Sequence, residues 1–170
     1  MAVAGAVGSR DLRTLGGMTE PCTGSATIVI HRSPQEVWSA IADVTRMGEW
    51  SPETNAARWA EGGSAPAVGA KFLGDNAVKV GGRTIKAWTT TSEVTACEPG
   101  VVFEFVAEGY TTWRYDFAAE GAGTTVTESF SYVPKGLQGF IYGTVLRRRS
   151  AMTKGMRSTL ARVKSTLESA

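Results

Sequence analysis

Thr112-Trp113-Arg114-Tyr115-Asp116-Phe117-Ala118 alternates in character at every step. Side chains along a strand point to opposite faces in turn. Trp113, Tyr115 and Phe117 therefore share one face, and Thr112, Arg114, Asp116 and Ala118 share the other. One aromatic and one polar face describe an antiparallel sheet that covers a core on one side and meets water on the other. Neighbouring runs repeat the pattern. Val101–Ala107 places Val101, Phe103 and Phe105 on the aromatic side, with Glu104 pointing out. Thr84–Ala96 aligns Trp88, Thr90, Ser92 and Val94. Lys71–Asn76 aligns Phe72, Gly74 and Asn76, and Thr124–Val133 aligns Val126, Glu128, Phe130 and Tyr132.

Between these runs lie turn signals: Gly62-Gly63, Gly81-Gly82, Pro99-Gly100, Gly109 and Gly121-Ala122-Gly123. Adding Ala56–Trp59 and the β-branched run Ala26–His31 brings the count to seven strands. No connection inside the meander is long enough for a parallel crossover, so the sheet is expected to be antiparallel. After the first strand, Ser33-Pro34-Gln35-Glu36 reads as a capping box with proline at the first helical position. The helix it opens carries Val37, Trp38 and Ile41 on one face. Asp43 caps a second short helix, which must stop at Trp50-Ser51-Pro52 because proline disfavours a helical residue before it.

Beyond Pro134 and Gly136 the period changes. Ile141, Val145, Met152, Met156, Leu160, Val163 and Leu167 recur at three- and four-residue steps or their sums, as one stripe of a long helix. Such a helix would run about 50 Å, with Gly143 or Gly155 as places where it bends or divides. Arg147, Arg148 and Arg149 interrupt the stripe; helical spacing brings Arg148 or Arg149 to its edge, facing either solvent or a cavity mouth.

At 170 residues, with 42% apolar and 20% charged side chains, the chain suits one globular domain with a real core. Met1–Gly24 has no helix or strand period and reads as a disordered tail, with Met18 as an alternative start, leaving 25–170 as the domain. The apolar start Ala2–Val7 lacks a preceding basic residue and is too short for a signal peptide. No apolar run nears the roughly 20 residues that span a bilayer. A cytoplasmic protein with free thiols at Cys22 and Cys97 is expected. Two cysteines and one histidine, His31, leave no material for a disulfide framework, a multi-cysteine metal site or a Ser-His-Asp triad. His31 itself reads as a surface loop residue between strand and helix cap. Neither a metal nor a cofactor is expected.

Charge is uneven. From Lys135 onward there are eight Lys/Arg against one acid, a net +7; residues 1–134 hold ten against fifteen, a net −5. A basic helix of this kind suits an anionic partner or simply a solvated face. The basic residues lack interleaved exposed aromatics, so nucleic acid is not the expected partner.

The inner face mixes aromatics with Asn76, Thr90, Ser92, Glu128 and the hydroxyls of Tyr115 and Tyr132. An unpaired polar group in a dry core costs about 1–3 kcal/mol, whereas a ligand cavity is mostly apolar with a few placed polar groups. Glu128 is the sharpest case: it pairs with an Arg or Tyr as a structural group, anchors a polar ligand atom, or serves as a general acid. The residues expected to line such a cavity are Trp50, Phe72, Asn76, Trp88, Phe103, Phe105, Trp113, Tyr115, Glu128, Phe130, Tyr132, Met152 and Met156. Met152 and Met156 suit either a variable ligand surface or an ordinary core.

The order of elements, together with particular stretches, resembles the SRPBCC superfamily of START-like and Bet v 1-like helix-grip proteins, in the polyketide cyclase/dehydrase and lipid transport branch. The stretches are Ser33-Pro34-Gln35-Glu36-Val37-Trp38, Met47-Gly48-Glu49-Trp50-Ser51-Pro52-Glu53, Trp59 and Val68–Asn76. They continue with Trp88, Glu98-Pro99-Gly100, Phe103-Glu104-Phe105, Trp113-Arg114-Tyr115 and Gly123–Ser129, so that the likeness covers about 25–170. It implies an α+β fold in which a curved seven-stranded antiparallel sheet grips the long C-terminal helix around a cavity. It also implies a hydrophobic small molecule as partner, lipid or polyketide-like. No nucleophile–base pair or metal cluster is evident. The leading expectation is a non-enzymatic binder with an internal cavity of some hundreds of Å³. The alternative is a polyketide cyclase or dehydratase acting through Tyr115, Tyr132, Glu128 and an arginine from 147–149. A third reading is an interaction protein that uses the basic C-terminal helix.

Overall fold

The computed structural model describes residues 21–133 and 142–169. The elements run β1 (Cys22–Ile30), α1 (Pro34–Ala42), a 3-10 turn (Val44–Arg46), α2 (Met47–Trp50), β2 (Thr54–Trp59), β3 (Lys71–Val80), β4 (Arg83–Glu98), β5 (Val102–Ala107), β6 (Thr111–Glu120), β7 (Gly123–Tyr132) and α3 (Tyr142–Glu168). The seven strands form one antiparallel sheet in the order β1-β7-β6-β5-β4-β3-β2. Six strands follow chain order because hairpins join antiparallel neighbours directly. Only β1 breaks sequence order, pairing with β7 from Cys22↔Tyr132 to Ile30↔Thr124.

The helix starts behave as their residues dictate. Ser33 caps α1, and the backbone N–H of Ser33 donates to the Glu36 carboxylate, which completes the capping box. Asp43 Oδ1 accepts from the backbone N–H of Thr45 at 3.1 Å and opens the 3-10 turn that runs into α2. Trp38 anchors α1 to the sheet, its indole N–H donating to the Val102 carbonyl at 3.0 Å in a buried position. Helix α3 lies against β1. Its end is pinned there by Lys164 Nζ, which donates to the Val29 carbonyl at 2.6 Å, and by Glu168, which accepts from the His31 backbone N–H at 2.8 Å.

Several boundaries differ from the sequence reading. Strand β1 begins at Cys22, inside the segment read as tail; Cys22 is buried, and residues 1–20 lie outside the described residues. Gly24 belongs to that stretch. In the fold it is an asset, because a Cβ there would stand 2.7 Å from Phe130 Cε1 and 2.9 Å from Thr153 Oγ1. Val101, placed on the aromatic side above, is 47% exposed and precedes β5. Gly100, at φ +74°, turns the chain there, and Val102 is the residue buried instead. Strand β3 runs on to Val80, four residues past Asn76. Helix α3 is continuous through Gly155; Ile141 and the Val145 side chain lie outside the described residues. Met156, Leu160 and Val163 of its stripe are buried, and Met152 and Leu167 are half-buried against the core.

Candidate functional site

The concave face of the sheet is laid out in rungs. Strand register aligns Gly24, Phe130, Trp113, Phe105 and Val94 across β1, β7, β6, β5 and β4. The next rung aligns Ala26, Glu128, Tyr115 and Phe103. These rungs carry Phe103, Phe105, Trp113, Tyr115, Glu128 and Phe130 of the sequence-predicted residues, and α3 packs over their β1 end, with Thr153 against Gly24.

Tyr115 and Glu128 meet at the centre. The Tyr115 hydroxyl donates to Glu128 Oε1 at 2.8 Å. Glu128 is only 3% exposed, and its other oxygen, Oε2, is buried with no hydrogen-bond partner among the described residues. Burial lifts the Glu128 carboxyl to about 7, while the bond from Tyr115 pulls the other way. Burial also raises the Tyr115 hydroxyl well above its ordinary range, helped by the adjacent carboxylate. An unpartnered carboxyl oxygen in a low-dielectric site either keeps its proton or waits for a partner. When neutral it offers one O–H donor; when ionised it offers an acceptor.

The other predicted residues on the sheet fall into three groups. Phe72 stacks edge-on to Phe105 with ring centroids 5.0 Å apart, Trp59 stands 5.9 Å from Phe72, and Phe103 stands 5.8 Å from Phe105. Further along the rung of Phe105, toward β1, Trp113 lies 5.7 Å from Phe130, and Tyr132 stacks on Tyr110 at 5.8 Å. Asn76 and Trp88 stand apart from both groups, paired across the β3–β4 hairpin. Both ends of the Asn76 amide are used: Nδ2 donates to the Gly74 carbonyl and to Thr90 Oγ1, and Oδ1 accepts from Thr54. Trp50 is buried on α2, its carbonyl accepting from Arg162 of α3.

Packing is uneven along α3. Met156, Leu160 and Val163 are fully buried together with Phe72 and Phe103, whereas Met152, Thr153, Trp113 and Tyr110 are half-buried. The sheet–helix interface therefore loosens toward the N-terminal half of α3. Arg148 closes over the Tyr132 ring there at 4.7 Å. The spacing argument had placed an arginine at the stripe's edge, but not on an aromatic face. Two surface grooves are also present. One, of about 810 Å³, runs between α1 and Leu167; the other, of about 610 Å³, includes Gly24, Phe130, Arg149 and Thr153. Neither is lined by Tyr115 or Glu128.

Among the described residues, no cluster of three or more His, Cys, Asp or Glu could hold a metal, and no helix is long and apolar enough to cross a membrane. Cys22 and Cys97 are free thiols, and burial raises that of Cys97.

The family model described as polyketide cyclase / dehydrase and lipid transport matches residues 21–168. The chain belongs to that family. Among solved structures, it is similar to a polyketide-cyclase-like protein of Corynebacterium glutamicum, at 32% identity and a TM-score of 0.62, over 88% of this chain and 93% of that one. A likeness of fold alone extends to the AHSA1-like protein of Aeromonas hydrophila, at 22% identity and a TM-score of 0.57, over 86% of this chain and 93% of that one. It extends equally to the di-domain ARO/CYC protein BexL of the BE-7585A biosynthetic pathway, at 20% identity and a TM-score of 0.67. The match covers 86% of this chain and 50% of BexL. No curated protein matches. The family and these neighbours agree with the helix-grip architecture, a fold that serves hydrophobic ligands.

Proposed function

We propose that this family member binds a hydrophobic, oxygen-bearing small molecule, lipid-like or polyketide-like, in an internal cavity between the concave sheet face and α3. The observation that carries this reading is Glu128 Oε2, a buried carboxyl oxygen without a partner among the described residues, on a face rich in aromatic side chains. A few placed polar groups in apolar walls are what orient a small ligand. The half-buried Met152 and Trp113 fit an entry toward the N-terminal half of α3, since a thioether side chain repacks readily.

The test is native mass spectrometry of the purified chain with extraction and identification of any bound molecule. A titration with fatty acids, sterols and aromatic polyketides follows, monitored by NMR at Tyr115 and Glu128. A retained or added ligand that shifts both residues supports the reading. A panel that leaves both unmoved overturns it.

The second reading is a polyketide cyclase or dehydratase. It is favoured by one feature: a carboxyl held at about 7 is poised for proton transfer at neutral pH. It requires that Glu128→Gln and Tyr115→Phe each abolish turnover of a polyketide-like substrate in a folded protein. Turnover that survives both substitutions removes those roles.

A further inference from the structure

The β3–β4 hairpin reaches well past its neighbours. Strand β2 covers β3 only as far as Thr54↔Asn76, and β5 covers β4 only from Ser92↔Ala107. Between these limits the hairpin is a two-stranded ribbon, closed by Gly81 and Gly82 at φ +57° and +80°. Positive φ at both central residues is the geometry a two-residue hairpin turn requires.

The tip of this ribbon is apolar. Val78 is 39% exposed, Val80 65% and Ile85 66%. Ile85 occupies the bulge between the pairs Val78↔Lys86 and Lys79↔Thr84, so no residue stands opposite it. Free ribbons of this kind usually carry polar side chains, since exposed apolar edges invite association. The sequence around this apolar tip is basic. From Ala77 to Ser92 the chain holds Lys79, Arg83 and Lys86 and no acid. Lys86 stands over the Trp88 ring at 5.2 Å.

Antiparallel register fixes which end of the sheet this is. The tip lies beyond Ala107, at the end where β6 begins, β7 finishes at Tyr132 and β1 begins at Cys22. The N-terminal part of α3 lies at that same end, with Arg148 on Tyr132 and Arg149 beside Thr23 and Gly24. Among the described residues, acids near this end include Glu108 of the β5–β6 turn, whose carboxylate accepts from the Thr91 backbone N–H, and exposed Glu53 beside Ala77. The base of the hairpin and of α3 thus converges on one end of the molecule around an exposed aliphatic tip.

We propose that this end docks on an anionic lipid surface, with Val78, Val80 and Ile85 inserted among the acyl chains and Arg83, Lys86, Arg148 and Arg149 at the headgroups. Buried aliphatic area and attraction to anionic lipid add in such docking. Charge complementarity favours this occupant over a second copy of the chain, since two such tips would bring like charges together. The inference is independent of what the interior binds.

The test is co-sedimentation of the full chain with vesicles of phosphatidylcholine alone and of phosphatidylcholine with equimolar phosphatidylglycerol, at low and high salt. Binding to the anionic vesicles that weakens with salt is expected. The double change Val80→Ser/Ile85→Ser and the double change Arg83→Glu/Lys86→Glu should each reduce partitioning about tenfold or more. Both alter exposed side chains, so circular dichroism and the unfolding midpoint should stay as in the parent. Quenching of Trp88 by brominated lipid, lost in Trp88→Phe, would support insertion of the hairpin. Absence of binding overturns the proposal, as does binding indifferent to either double change. A dimer in solution that dissolves on Val80→Ser/Ile85→Ser, without vesicle binding, assigns the tip to self-association and equally overturns it.

Discussion

The hydroxyl of Tyr115 and the carboxyl of Glu128 face each other across β6 and β7, joined at 2.8 Å through Oε1, while Oε2 has no partner among the described residues. The register pairs the two residues directly, so their contact comes from the backbone and not from long, adaptable side chains.

Stability should fall as pH rises through the Glu128 transition. The carboxyl is raised from an ordinary 4.5 to about 7 in the folded chain. Between those values the folded state binds more protons than the unfolded one, so each step up in pH costs stability. The loss accumulates to about 3 kcal/mol once both states are ionised. Glu128→Gln carries no proton to lose, so its advantage over the parent should grow across this window and then level off. Urea midpoints from about pH 5 to about pH 8 measure this; parallel curves for the two proteins would contradict it.

Tyr115→Phe should push the Glu128 carboxyl higher still, because the bond from Tyr115 is what lowers it. Both carboxyl oxygens would then be buried without this donor, and stability at neutral pH should drop by about 1–3 kcal/mol. Carbon-13 NMR of glutamate carboxyls reads the titration directly. A midpoint that stays put or moves down would refute the assignment.

Trp38→Phe should destabilise the protein by about 1–3 kcal/mol by leaving the buried Val102 carbonyl without its indole donor. The smaller ring also gives up some packing, so the pattern of hydrogen exchange, and not the total loss, reports on the bond between α1 and β5. Hydrogen exchange should quicken along α1 and at Val102 ahead of the rest of the sheet. Unchanged exchange there would show that the bond contributes nothing to docking α1.

Gly24→Ala should cost about 1–3 kcal/mol by overpacking. The added Cβ would lie 2.7 Å from Phe130 Cε1 and 2.9 Å from Thr153 Oγ1, so the ring or α3 must shift. Combining it with Phe130→Leu should cost less than the sum of the two changes, because the smaller side chain relieves one clash. Strict additivity of the thermal unfolding energies would mean that Gly24 does not set the distance between β1 and α3.

Much of the architecture could be read locally. Alternation over Thr112–Ala118 and Thr124–Val133 sorted inner from outer faces correctly, and the Ser33–Glu36 box and the stripe Met152–Leu167 marked the helices. These signals lie within a few residues of one another, and backbone geometry alone enforces them. The same alternation runs on through Val78 and Val80 to Gly81-Gly82, and β3 follows it to Val80 where the sequence reading stops at Asn76. The ribbon continues there beyond the sheet that covers it.

What no local signal carried was the partnering of distant residues. The extension of β1 to Cys22 depends on Tyr132 being there to pair with it, and the sequence contains no mark of that. Tyr115 and Glu128 could each be placed on an inner face, but their meeting depends on the register set by the β6–β7 turn, where Glu120 pairs with Gly123. A slip of one residue would carry Glu128 to the solvent face and dissolve the site. Faces follow from a period of two along one strand. Partners follow from the alignment of strands, which the turns and the packing of α3 settle together.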